Sequence, residues 1–417
     1  MNMNSLRVFS AVVVGLFAPL LLPASVFAHA FGAQYTLPLP ISFYATAAAI
    51  SLVASFIILS LFSKPHSTKG AILVRTYSLP QWTQSKTAMN VGKGFGLAMF
   101  LVALITGFFG SDIPTSNPSL FMFWVALLLI MTYISAVVSG VWERIDPFRT
   151  LVEVVLGRAY PPIFQELPVW LRYIPAVLFF YFILWFELLS YGAGASPQNI
   201  AILLLSYLGA TYFGIALFGN ATWFRWGDFF SVMFRVIGRF APFEIADGRI
   251  RVSAPGERLL EEKPDGFGLL VFILLILAST AYDGIRETVP WVRFFDSSIF
   301  FVNNYEALSL VTLLVAPFVF LVCYAAAVYL MSIITRQGNF WALMFSFAYS
   351  LVPIAVVYSV AHYFSLVVSE GQRMIPMLSD PFGQGLNLFG TAGYVYNPGL
   401  IGASTTWYIQ VSVIIIG

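Results

Sequence analysis

The chain has one cysteine, three histidines and few charges, and each shortage closes off some chemistry. A single cysteine, Cys323, admits no intramolecular disulfide, no CxxC redox pair and no cysteine-built zinc site. With only His29, His66 and His362, any metal centre must lean on carboxylates. Charged residues make up 10% of the chain, against about 25% in a soluble domain, too few to coat a water-facing globule. The 21 lysines and arginines exceed the 19 acids by a net charge of +2. No basic tract gathers them, which argues against nucleic acid as a partner. No HExxH, GxSxG or phosphate-loop spacing occurs.

What is there is apolar. Hydrophobic residues form 59% of the 417, with 41 Phe, 20 Tyr and 10 Trp among them. A lipid span needs about 20 mostly apolar residues. Such runs lie at 41–62, 95–110, 120–141, 173–190, 199–219, 267–283, 307–334 and 341–366. Another begins near 400 and is still apolar at Gly417, so a truncated C-terminal span is expected. Residues 1–28 read as a signal peptide: Arg7, an apolar stretch from Val8 to Leu22, then Val26-Phe27-Ala28 before His29. The expected fold class is an all-α polytopic membrane protein. It has about nine transmembrane helices in a domain spanning 29–417, with the lipid bilayer as its first partner.

Charge sets the expected orientation. With His29 outside, 17 of the 21 basic residues fall in inner loops. Arg286, Arg293 and Arg373 fall outside, and Arg7 sits in the signal. The bias predicts an inner-membrane protein with a periplasmic mature N-terminus.

Two inner-side stretches read as short in-plane helices. Asp146-Pro147 supplies an N-cap and a first-position proline, and Gly157 closes that helix. In 228–240, Asp228, Ser231, Arg235 and Arg239 share one face and Phe229, Phe230, Met233, Phe234, Ile237 and Phe240 take the rest. Such a helix is expected to lie on the inner leaflet with its apolar side in lipid. At an offset of 81, Trp142, Arg144, Gly157, Arg158 and Pro161 match Trp223, Arg225, Gly238, Arg239 and Pro242. The pattern suggests an internal repeat, 120–190 and 199–283. Phe243 to Val252, with Asp247-Gly248 between, reads as a hairpin.

Ionisable residues inside apolar runs are the informative ones, because burying them is expensive without a purpose or a partner. Glu187, Asp283 and His362 all belong to the outer half of the membrane, and they form the candidate catalytic or relay set. Ser279 and Thr280 precede Asp283, and Tyr358, Ser359 and Ser365 share the His362 face. Glu306, Glu370 and Asp380 sit at helix ends, where interfacial anchoring explains them equally well. His29, freed by signal cleavage, would offer an α-amine and an imidazole to a metal such as copper. Pro317 and Pro353 are expected to interrupt their helices. The outer loop 369–402, with apolar residues between its glycines, is expected to fold back over the bundle.

The stretches AHAFGAQYTLPLP (28–40), ASTAYDG (278–284), VAHYFSLVVSEGQ (360–372) and LSDPFGQGLNLFGTA (378–392) resemble a bacterial integral-membrane family often labelled fenitrothion hydrolase-like. The likeness extends over the whole chain. It implies a membrane-bound organophosphate-ester hydrolase of the bacterial inner membrane, taking a small-molecule substrate from the periplasm. It carries over His29, Asp283, His362 and Asp380 without assigning their roles, and the same four form the candidate metal set, for a divalent ion such as zinc or copper. The same polar residues would equally serve a proton- or cation-coupled transporter. A third reading is a membrane scaffold or complex subunit with a partner protein.

Overall fold

The computed structural model describes residues 75–416, apart from 158–161, 165–166, 191, 262–265, 337–338 and 398. The expected signal, the 41–62 span, His29 and His66 lie outside the described residues. Seven helical stretches among the described residues are long and apolar enough to cross a membrane. They are α1 (Lys86–Phe109), α2 (Pro118–Val137), Val169–Leu188, α5 (Pro197–Phe218), α7 (Phe267–Arg286), α8 (Tyr305–Thr335) and Phe340–Ser379. The third is mostly α4 (Ile174–Leu188), and the last is mostly α9 (Leu351–Ser379). The apolar run after 400 forms α10 (Ala403–Ile416), 14 residues long.

The proline expectation is corrected. Pro317 lies inside an unbroken α8, and Pro353 sits in the first turn of α9, where a missing N–H costs nothing. The chain bends earlier, through the short helix Phe340–Ser346 and a 3-10 turn at Ala348–Ser350.

A small sheet closes one end of the bundle. β1 (Arg75–Ser78) precedes α1, β2 (Val138–Ser139) follows α2, and the hairpin β3 (Phe243–Ala246) and β4 (Arg249–Val252) precedes α7. The order is β1-β4-β3-β2. The hairpin is the one the sequence indicates: Ala246 pairs with Arg249, and Asp247 and Gly248 take positive φ of 48° and 70°. Hence α1, α4 and α7 start at the sheet end, and α2 and α5 finish there.

Two ten-residue helices, α3 (Pro147–Leu156) and α6 (Phe229–Gly238), follow α2 and α5. The sequence places α6 on the membrane surface with lipid on its apolar side, and the structure overturns that. Nine of its ten residues are buried in protein. Phe229 meets Phe180 and Phe272 at ring distances of 5.1 and 6.2 Å, and Phe230 meets Tyr207 at 5.0 Å. Arg235, expected at headgroups, donates inward to the Phe224 and Arg225 carbonyls. The periodicity was real, but helices rather than lipid cover it.

Position along α5 shows how deep these helices reach. Tyr207 is midway along α5, and its ring lies 4.7 Å from Phe148 at the start of α3. Tyr212, further toward the sheet end, donates to the Leu151 carbonyl at 3.1 Å. Helix α3 therefore starts level with the middle of a span and runs back to the sheet end. Helix α6 does the same, from Phe229 beside Phe272 to Gly238 against Ser139. Helix α6 is enclosed by its neighbours, whereas α3 leaves Val154 and Val155 exposed near its end.

Candidate functional site

The most concentrated polar chemistry lies between α7 and α9, toward the end away from the sheet. A small residue lets the two helices approach there: a Cβ on Gly284 of α7 would lie 3.6 Å from the His362 ring of α9. Asp283, in the last turn of α7, points its Oδ2 between two neighbours on α9. His362 Nε2 lies 3.0 Å away, and Tyr363 donates its hydroxyl at 3.0 Å. The carboxylate side chain is 8% exposed and the imidazole 27%, so the acid is enclosed and the base is reachable.

This geometry sets what the pair can do. With Asp283 ionised and His362 neutral, Nε2–H donates to the carboxylate and leaves Nδ1 as a free base. With one more proton the two form an ion pair. Nδ1 faces Gly284 and Tyr358; a Cβ on Gly284 would lie 3.9 Å from Nδ1 and 3.4 Å from the Tyr358 hydroxyl. The Tyr363 ring stands edge-on to the imidazole at 4.6 Å. Neighbouring spans pin the turn of α9 that carries His362. Tyr133 of α2 donates to the Val360 carbonyl at 3.2 Å, and Gln410 of α10 donates to the Ala361 carbonyl at 2.8 Å.

Of the residues singled out in the sequence, Asp283 and His362 meet directly. Glu187, half-buried at the end of α4, lies within electrostatic reach of Tyr363. Of the candidate metal set, His29 lies outside the described residues. Asp380 stands apart, its oxygens accepting from the Gln384 and Gly385 N–H groups at 2.9 and 2.7 Å to hold the start of the loop that follows α9. Among the described residues no group of three or more His, Cys, Asp or Glu converges as metal ligands. Glu306 is exposed at the start of α8, and Glu370 pairs with Arg373 at 2.7 Å. The loop after Asp380 does fold back, since Gln372 donates to Asn397 and Ser379 meets Thr391 at 2.8 Å.

A second polar centre lies where α3 and α6 begin. Asp146 caps α3 by accepting from the Arg149 N–H at 3.0 Å. Asp228 caps α6 by accepting from the Ser231 N–H at 2.8 Å, and it also accepts from the Tyr207 hydroxyl. Both are 1% exposed. Phe148 and Phe230, each two residues past its aspartate, stack at 5.7 Å with their planes 2° apart. The two helix N-termini thus face one another, and positive dipole ends favour carboxylates there. Burial nevertheless pushes both carboxyls above the usual range, and the Asp228 charge adds to this at Asp146. At Asp228 the donors Tyr207 and Ser231, and then the Arg149 charge, oppose it. The caps and helices repeat at an offset of 82, so one residue enters between Arg144/Arg225 and the aspartates. Gly157 caps α3 at φ 76°, whereas Gly238 is the last residue of α6, and the two are not structural equivalents.

Sequence reasoning missed Tyr363, Tyr207 and Arg286. Tyr363 adjoins His362, and an aromatic hydroxyl beside an intramembrane histidine was the available sign. Arg286 was counted as an outer-loop charge, but it lies in the last turn of α7 and is buried. No family model, curated protein or solved structure matches the chain.

Proposed function

We propose that this multi-pass membrane protein handles protons through Asp283, His362 and Tyr363 and couples their transfer to movement of a small solute or cation across the bilayer. The observation that carries the reading is the 3.0 Å contact between Asp283 and His362, made across two spans and backed by Tyr363. Intramembrane acids paired with histidine are the usual parts of proton relays. The re-entrant α3 and α6 add to this support, since broken helices meeting inside the membrane are characteristic of transporters.

The test is proton movement in liposomes that carry the purified protein and an internal pH-sensitive dye. An imposed solute gradient should drive dye response with the wild type. Asp283→Asn and His362→Gln should each lower it at least tenfold, as expected for loss of a relay member. Unchanged flux in both variants would overturn the reading and favour the scaffold role.

A second reading rests on the same pair. A histidine oriented by a buried carboxylate is also how a general base is held, with Nδ1 here left to accept a proton from water. This would suit the organophosphate-ester hydrolysis that the resemblance implies. Release of a chromogenic phenol from a phosphotriester by the purified protein, lost in His362→Gln, would favour hydrolysis over transport.

A further inference from the structure

Arg286 lies one turn beyond Asp283 on α7, and it is a buried cation with two unpartnered donor atoms. It is 6% exposed, and its Nε and Nη1 have no hydrogen-bond partner. Among the described residues no carboxylate lies within ion-pair distance of it. The other two basic residues counted on that side behave differently. Arg373 is held by Glu370 at 2.7 Å and lies over the Tyr396 ring at 3.9 Å, and Arg293 is exposed. A guanidinium removed from water without a partner is expensive. The negative end of the α7 dipole offsets part of that cost but supplies no acceptor to Nε or Nη1.

A second donor lies close by. Trp291, in the short helix Val289–Asp296, has a buried Nε1 without a partner. Its ring meets the Tyr282 ring at 5.8 Å, and the Arg286 guanidinium lies 5.8 Å from that same ring. Tyr282 cannot satisfy either group through its hydroxyl, which donates to the Ser309 carbonyl at 2.7 Å and meets Thr312 at 3.1 Å. So a fixed positive charge and several N–H groups gather around Tyr282 with no protein acceptor among the described residues.

We infer that Arg286 and Trp291 form a binding site for a phosphate-type oxyanion, one helical turn from the Asp283–His362 pair. Only N–H donors are left over, so the missing partner is an acceptor, and guanidinium favours tetrahedral and planar oxyanions over a simple halide. In the proton-coupled reading, on which its role rests, the site names the solute class: an oxyanion moved together with a proton. Occupancy of the site does not depend on that reading. The phosphate could belong to a free ion or to a lipid headgroup, and the two sources are separable.

The test uses the full chain purified in detergent. Inorganic phosphate is titrated against the thermal unfolding midpoint, with chloride at equal ionic strength as control, and native mass spectrometry identifies retained phospholipid. A free-ion site predicts a saturable rise in midpoint with phosphate and not with chloride. A lipid site predicts a retained anionic phospholipid instead. Either signal should fall at least tenfold in Arg286→Gln. It should fall about threefold to tenfold in Trp291→Phe, which keeps the ring and removes one N–H. Trp291→Phe carries the test if Arg286→Gln does not fold. Absence of both signals in wild type, or signals unchanged in the variants, overturns the site. Phosphate binding that depends on Arg286 without any proton flux would keep the site and overturn the coupling.

Discussion

At the scale of single residues, Asp283, His362 and Tyr363 form the polar contact at the end of the bundle away from the sheet. Two donors converge on one carboxylate oxygen, so they share the work of holding it. Tyr363→Phe removes one of them and is expected to cost about 1–2 kcal/mol of stability, read as a lowered unfolding midpoint. Any proton flux should persist, because Asp283 and His362 both remain. Asp146 gives a separate test with a definite sign. Its folded-state pKa is raised, so its favourable contribution is full below the ordinary carboxylate range and disappears as pH rises through about 8. Wild-type stability should therefore decline over that window. Asp146→Asn, which keeps a capping oxygen, should flatten the decline. A decline that is identical in the variant would show that another group titrates.

At the scale of elements, close approach of helices depends on a few glycines. A Cβ on Gly96 of α1 would lie 1.6 Å from the Ile145 carbonyl oxygen, a backbone atom just before the Asp146 cap. Gly96→Ala must then push α1 away from the start of α3, which should cost several kcal/mol and expose the Phe100–Phe148 contact at 5.4 Å. Gly284 contrasts with it. The nearest atom to an added Cβ there is 3.4 Å away, so Gly284→Ala should fold normally while crowding His362 Nδ1. A normal unfolding midpoint with reduced flux is the expected result. These helices gain little from the hydrophobic effect, because lipid is as apolar as their side chains. Close packing of rings around Phe230 and hydrogen bonds such as Tyr207 to Asp228 are what hold α6 inside.

At the scale of the whole molecule, burial is uneven. Helix α6 is enclosed, while the apolar window of α8 is 17% buried and shows Val311, Phe318, Val322 and Leu330 on its surface. Exposed apolar side chains on a helix of 31 residues are what a lipid-facing span requires. Cys323 lies on that helix and is exposed, so the natural sequence supplies its own probe. A spin label on Cys323 in reconstituted protein should collide freely with oxygen and little with a water-soluble nickel chelate. The reverse accessibility would mean that this face meets water. Labelled protein that is protected from both would mean that a partner covers α8.

The sequence by itself determined the class, most spans, the Asp146 cap and the hairpin, because each depends on neighbours in the chain. Apolar run length, an aspartate before a helix and an Asp-Gly turn are local signals. It also marked Asp283 and His362, since an ionisable group inside an apolar run stands out without any structure. Only the tertiary structure decided that these two touch across 79 residues, that Tyr363 joins them and that Asp380 does not. It also decided that α6 lies inside the bundle rather than on lipid. An amphipathic pattern reports that a face must be covered, and protein and lipid are equally apolar covers. Which one does so depends on where distant helices pack. The same reason hid Arg286, whose burial follows from the chain's turn at Trp291 and the approach of α8, and not from its place at the end of an apolar run.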